Sequence, residues 1–296
     1  MNNKSIIILA AGAGTRMKST TPKVLHKISG KPMLYYSIKE ALKLSDDVTV
    51  VLYHQAQRVQ AEMEKYFENI NFVIQDHANY PGTGGAVMGI TPKYEQVLVL
   101  NGDMPLIQSE ELKKFDIDAT IVMSVLELES ADGYGRVIVE EGSVKKIVEQ
   151  KDATPEQLAI NEANTGILLA NGGDLKRWLS NLSNDNAQGE YYLTDVIAAA
   201  HAEGKEIATA HPETEIEVEG ANNRVQLAAL ERAFQLREAE NLMIAGASLR
   251  DPSRIDIRGK ILVGQEVQID VNCVFEGEVV LANGVRIGPN CVLKDC

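Results

Sequence analysis

The last forty residues carry a repeat that few folds accept. From Ile257 an aliphatic or aromatic residue returns every six positions, at Val263, Ile269, Phe275, Leu281, Ile287 and Leu293. A second apolar series keeps the same period through Ile255, Ile261, Val267, Cys273, Val279, Val285 and Cys291. A helix turns every ~3.6 residues and cannot generate this period. A hairpin meander would need turn signals that are absent. Hexad repetition predicts a parallel β-helix, in which three hexads close one triangular coil and the apolar side chains point inward. Residues 257–296 hold about two such coils. Repeat units need neighbours to bury their faces, so the segment reads as the truncated start of a longer solenoid.

The other end of the chain follows a different rule. Lys4–Ala10 reads as a strand whose apolar run, Ile6–Ala10, is that expected of burial on both faces. A glycine loop follows at Gly12–Gly14, and Pro32 opens a helical stretch to about Leu44. Further strands are predicted at Val48–Tyr53, Phe72–Gln75 and Val97–Leu100, with helices at Gln55–Phe67 and Gly84–Gly89 between them. This alternation predicts an α/β, Rossmann-like domain with a mostly parallel sheet. Past Ala119 the pattern turns strand-rich, at Thr120–Leu126, Arg136–Val139, Val144–Glu149 and Thr165–Ala170. That predicts a mixed-sheet region laid over the parallel one. Asn223 to about Ala245 reads as one long helix, closed by Gly246 and Pro252, and as an arm between domains. The expected division is 1–222 for the α/β domain, 223–250 for the linker helix and 251–296 for the start of the β-helix.

Charge and composition exclude several partner classes. A net charge of −13 argues against non-specific binding to nucleic acid or to an anionic membrane. The apolar run Ile6–Ala11 is far short of the ~20 residues a membrane helix needs, and it runs into a glycine loop unlike a signal peptide. The three cysteines, Cys273, Cys291 and Cys296, form neither a disulfide framework nor a zinc pattern. A cytoplasmic protein with reduced thiols is expected.

Two loops carry the chemistry. Leu9-Ala10-Ala11-Gly12-Ala13-Gly14-Thr15-Arg16-Met17, followed by Pro22-Lys23, occupies the turn after the first strand. Ligands of open α/β sheets bind there. The third glycine of a dinucleotide fingerprint would fall at Met17, and no GK[ST] follows, so neither a Rossmann nor a P-loop signature is complete. What remains is a loop of backbone N–H groups able to face phosphates, with two cations beside it. Val97–Leu106 delivers Asp103 at the end of a buried strand, on the same sheet edge. Mg²⁺ takes one or two carboxylates together with phosphate oxygens and water, so the two loops read together as a metal–nucleotide site.

LAAGAGTRM…PKVL, GDMPL, DGYGR, VEQKDA, NTGILLAN, NAQGEYYLTD and EVEGANNRVQL occur in this order along the chain. With the hexad tail, they resemble the bacterial bifunctional N-acetylglucosamine-1-phosphate uridylyltransferase/glucosamine-1-phosphate N-acetyltransferase family, over essentially the whole sequence. The resemblance implies transfer of a uridylyl group from UTP to N-acetylglucosamine 1-phosphate, giving UDP-N-acetylglucosamine and pyrophosphate. It implies that Leu9, Ala10, Ala11 and Gly12 line the nucleotide, and that Gln75, Gly82 and Thr83 surround the uracil. Arg16 and Lys23 would act on the triphosphate, with Lys23 also binding substrate. Asp103 and Asn222 would hold Mg²⁺, Asn222 touching substrate as well. Gly135, Glu149 and Asn164 would hold the amino-sugar, and the β-helix would be left-handed. Bland readings stand beside these: Gln75 and Glu149 as strand-end surface residues, Gly135 as a hairpin glycine, and Asn222 as the N-cap of the long helix. Asn101 stands where many members have an aromatic residue. The family's acetyltransferase site lies in later coils, so no acetyl transfer is expected of this chain, and the family's homotrimer should be weak or absent. The competing readings are a nucleotidyltransferase for another sugar 1-phosphate, and a non-catalytic β-helix assembly module.

Overall fold

The computed structural model describes residues 4–296. Its centre is a nine-stranded sheet. In chain order the strands are β1 (Lys4–Ala10), β2 (Val48–Leu52), β3 (Asn71–Ile74), β4 (Gln96–Asn101), β5 (Ile121–Glu127), β6 (Gly135–Glu140), β7 (Ser143–Val148), β8 (Glu162–Asn171) and β9 (Ile207–Ala210). Their order across the sheet is β9-β5-β8-β4-β1-β2-β3, with the β6–β7 hairpin branching from β8. Strands β4, β1, β2 and β3 are parallel neighbours. β8 runs antiparallel to both β4 and β5.

The central strands carry apolar runs, Ile6–Ala10, Val50–Leu52 and Val97–Leu100, because helices cover both faces. Ile6, Ile8 and Ala10 of β1 pack into one core, while Ile7 packs into the other. β4 divides in the same way, Leu98 and Leu100 to one side and Val97 and Val99 to the other. Each such side chain contributes ~1.5–3 kcal/mol when fully buried.

The strand-rich region past Ala119 is not a layer over the parallel sheet. Its strands β5, β8 and β9 extend the same sheet beyond β4. The antiparallel strand β8 makes this possible, since it pairs with the free edge of β4 through Leu168, Leu169 and Ala170. One consequence matters for the site. Leu168 pairs with Val99, so the start of β8, including Asn164, lies on the edge where β4 ends.

The long helix spans Arg224–Ile244. Its cap is Asn223, whose side-chain oxygen accepts from the N–H groups of Val225 and Gln226 at 2.9 Å each. The helix is packed rather than a bare arm. Leu230 and Phe234 join Ile28, Met33 and Tyr36 in one cluster, and Leu242 joins the hexad segment. Fully buried Gln235 donates to the Ile257 carbonyl at 2.8 Å and accepts from the Ile257 N–H at 2.6 Å.

The hexad segment forms parallel ladders with an 18-residue offset. Ile255 pairs with Cys273, Val263 with Leu281 and Phe275 with Leu293. A second ladder pairs Ile269 with Ile287 at the same offset, while Leu249, ahead of the first hexad, pairs with Ile269 at an offset of 20. Both apolar series converge on one core. Cys273 is buried in it, Cys291 is half-buried and Cys296 exposed. Burial also raises the Cys273 thiol above its ordinary pKa, and the thiolate is the reactive species. A thiol reagent on native protein is therefore expected to modify Cys296 first and Cys273 last, the latter only on unfolding. Cys273 reacting as fast as Cys296 would refute this packing. No helix among the described residues is long and apolar enough to cross a membrane.

Candidate active site

The chain leaves β1 toward β2 and β3, then returns to place β4 on the other side of β1. That reversal opens a crevice at the C-terminal ends of β1 and β4. A cavity of about 900 Å³ lies there. All the positions named from the sequence line it: Leu9, Ala10, Ala11, Gly12, Arg16, Lys23, Gln75, Gly82, Thr83, Asp103, Gly135, Glu149, Asn164 and Asn222.

The two strand-end loops are joined directly. The Gly102 N–H donates to the Leu9 carbonyl at 2.9 Å. A side chain at 102 would meet Leu34 and Ala10 at 2.9 and 3.2 Å, so only glycine lets the loops approach this closely. Gly14 adopts a left-handed conformation (φ +61°) and faces the Lys23 stem, where an added Cβ would lie 2.6 Å from that of Lys23. Glycine is the residue suited to such a position. Arg16 follows in the short 3₁₀ turn Thr15–Met17.

Lys23 Nζ lies 2.6 Å from Asp103 Oδ2 and 3.0 Å from Asn222 Oδ1. Asn222 is free for this because its neighbour caps the helix, contrary to the bland reading of its role. Its own N–H is held by Gln226 Oε1 at 2.9 Å. Gly220 passes so near Asp103 that a Cβ there would lie 2.7 Å from Oδ2. A carboxylate and an amide oxygen thus converge on a single cation position. That donor set suits a hard dication that completes its shell with phosphate oxygens and water. Among the described residues, no group of three or more His, Cys, Asp or Glu is arranged to hold a metal.

At the other side of the cavity, Gln75 is buried, not a strand-end surface residue. Its amide donates to the carbonyls of Tyr80 and Gly82, at 2.8 and 2.9 Å. Both amide hydrogens are thereby used, which leaves the side-chain oxygen to meet a ligand. Thr83 Oγ1 accepts from the Leu193 N–H at 3.0 Å, and the Gly84 N–H donates to the Tyr191 carbonyl at 2.7 Å. The loop is therefore tied to residues 190–193.

Glu149 lies just past β7, facing Gly135, where an added Cβ would come within 3.5 Å of its carboxylate. It accepts a hydrogen bond from the Thr194 hydroxyl at 2.9 Å. Burial holds its pKa above the ordinary value, against the lowering effect of Thr194, with Asp195 and Asp152 adding repulsion. The folded state therefore binds this proton more tightly than the unfolded chain does. Its ionisation costs stability as pH rises above the ordinary carboxylate pKa of ~4.3. Glu149→Gln is expected to be more stable than the parent at neutral pH, with the difference shrinking toward pH 4. Melting curves across pH check this, and an advantage that grew on acidification would reverse the sign.

Thr194, Tyr53, His77 and Thr165 also line the cavity and were not singled out from sequence. Tyr53 and His77 stack face to face, with centroids 4.3 Å apart. Thr194 stands inside NAQGEYYLTD, but its link to Glu149 is tertiary. Asn101 turns its side chain over Gly166 and donates to the Thr165 carbonyl at 3.4 Å.

Residues 6–115 match the MobA-like NTP transferase domain. Over 287 residues, 97% of the chain, the sequence is 62% identical to the bifunctional protein GlmU of Aliarcobacter butzleri (strain RM4018). The chain is thus similar to GlmU over nearly its whole length, and its residues 6–115 to a nucleotidyltransferase domain. It spans 63% of the length of that GlmU relative. Among solved structures, an inositol-1-phosphate CTP transferase from T. maritima is 17% identical, with a TM-score of 0.54 over 71% of this chain and 85% of that one. A UDP-glucose pyrophosphorylase complexed with UDP-glucose is also 17% identical, with a TM-score of 0.59 over 79% and 98%. At this identity they establish the fold of the chain and nothing more.

Proposed function

We propose that this chain transfers a uridylyl group from UTP to N-acetylglucosamine 1-phosphate, giving UDP-N-acetylglucosamine and pyrophosphate. The observation that carries the reading is the convergence of Asp103, Asn222 and Lys23 in the cavity that the glycine loop and Glu149 also line. The 62% identity to GlmU supports the choice of substrates. Residues 1–222 would form the transferase domain, 223–250 the linker helix and 251–296 the hexad coil.

The nucleophile is a phosphate oxygen of the sugar 1-phosphate. Phosphate monoesters have a second pKa of ~6, so it is largely ionised at neutral pH and needs no general base. The new bond joins that oxygen to the α-phosphorus, and the bond to pyrophosphate breaks. The obstacle is charge, since one anion approaches another. Arg16 and Lys23 lower it by facing the phosphates. Bound Mg²⁺, held by Asp103 and Asn222, would add charge neutralisation at the phosphate oxygens. The Gln75 oxygen accepts from the base, and uracil offers an N–H there where cytosine offers an acceptor. Gly135, Glu149 and Asn164 hold the sugar hydroxyls and amide, with Thr194 fixing the carboxylate.

The test is pyrophosphate release with a panel of nucleoside triphosphates and sugar 1-phosphates. UTP with N-acetylglucosamine 1-phosphate is expected to give the highest kcat/KM. A higher value for glucose 1-phosphate or for another base would assign a different substrate, and no release with any pair would end the reading.

A further inference from the structure

The cation between Asp103 and Asn222 belongs to the protein itself. Lys23 Nζ occupies the position on which both oxygens converge, at 2.6 and 3.0 Å. The pair is well shielded, the Lys23 and Asp103 side chains being 17% and 13% exposed. Mg²⁺ sits ~2.0–2.1 Å from its oxygens, so an ion bound to the same two atoms would overlap the ammonium and repel it. The two cations exclude each other.

The stem of Lys23 has little room to move away as a whole. It opens the 3₁₀ turn Lys23–Leu25, and its Cβ packs against Gly14 of the nucleotide loop. The far end of the side chain is the part left to swing, and the glycine loop proposed to face the phosphates lies directly beside its stem. Arg16 contrasts with it, lining the same cavity with no acid partner among the described residues.

We propose that Lys23 is the resident counter-ion of the metal site, so that the protein without nucleotide binds a divalent cation poorly and phosphate oxygens must draw Lys23 off Asp103 before the ion is held. The proposal rests on Asp103 and Asn222 being the metal's oxygens. It makes Lys23 a coupling device between nucleotide and metal as well as a phosphate-binding charge. It also keeps a half-buried carboxylate paired while the site is empty, where an unpaired one would be costly.

The experiment is an Mn²⁺ titration without nucleotide, following the free ion by electron paramagnetic resonance. Lys23→Met is expected to bind Mn²⁺ at least tenfold more tightly than the parent. Lys23→Gln, which keeps hydrogen-bond donors on a side chain one atom shorter and so guards against loss of folding, is expected to shift the same way. Arg16→Gln removes a nearby charge without vacating the position and should stay within threefold of the parent. Lys23 variants binding no tighter than the parent would overturn the proposal. So would an Arg16→Gln gain as large as theirs, since the effect would then be general charge. A gain that survived Asp103→Asn in the Lys23→Met background would place the ion elsewhere and defeat it too. No nucleotide is present, so each of these results is independent of the pyrophosphate-release assay that judges the uridylyl-transfer reading.

Discussion

Asp103→Asn is expected to lower metal-supported pyrophosphate release by a factor on the order of 10²–10³, the loss typical of removing one electrostatic contact from a transition state. The substitution changes charge and almost nothing else. Asparagine has the same shape, keeps an oxygen that Lys23 can donate to, and fits under Gly220, where the clearance to Oδ2 is tight. The fold should therefore persist, with some loss of melting temperature because the shielded Lys23 ammonium keeps a hydrogen bond but loses its counter-charge. A neutral amide is a poor ligand for a hard dication, so the activity that remains should need far more metal for half-saturation. Measuring the rate against Mg²⁺ concentration separates the two effects. If the metal dependence were unchanged, another residue would hold the ion, and the convergence of Asp103 with Asn222 would be no more than a salt-bridged loop contact.

How much of this was legible beforehand differs sharply between parts of the chain. β1, β2 and β4 declare themselves because burial on both faces keeps polar residues almost wholly to their ends, Thr49 apart. The hexad segment is equally open, since its six-residue period fits one architecture and the 18-residue ladders follow from it. The stretch from Gly172 to Ala210 gave no such signal. The helices Gly172–Leu179 and Asp195–Ala202 are eight residues each, and the first opens on two glycines that read as a turn. β9 is four residues long and mostly half-buried. Elements this short are held by tertiary packing rather than by their own propensity.

The site shows the same division. The glycine loop and Asp103 are legible because strand-end position and residue type coincide in one short segment. Asn222 is not, because an asparagine just ahead of a helix reads as its N-cap. The structure chooses Asn223, in extended conformation with φ −143°, and the choice releases Asn222 toward Lys23. The partnership of Glu149 with Thr194 spans 45 residues and arises only when β7 meets the segment leading into Asp195–Ala202. The strand-rich region joined the parallel sheet rather than covering it because pairing with β4 depends on the antiparallel return of β8. Nothing local to residues 120–170 encodes that.

Arg16→Ala is the second change expected to have a large effect, a fall in kcat of about 10²-fold with folding intact. Arg16 follows a left-handed glycine in a single 3₁₀ turn, lines the cavity, and makes no hydrogen bond or ion pair with another described residue. Removing its side chain therefore deletes no packing or pairing, and the melting temperature should stay within a degree or two of the parent's. The same isolation is what fits it to the proposed role. Lys23 has its charge matched by Asp103 before any ligand arrives, whereas the Arg16 guanidinium is available to phosphate oxygens at once. Its fork of donors suits two oxygens of one phosphate, which a lysine in its place would not reproduce. Charge builds on the departing pyrophosphate as the reaction proceeds, so the loss should fall mainly on kcat and less on KM. Arg16→Lys should recover only part of the rate. Pyrophosphate release within threefold of the parent by a folded Arg16→Ala protein would remove this residue from the chemistry and leave the triphosphate to Lys23 and the backbone of the glycine loop.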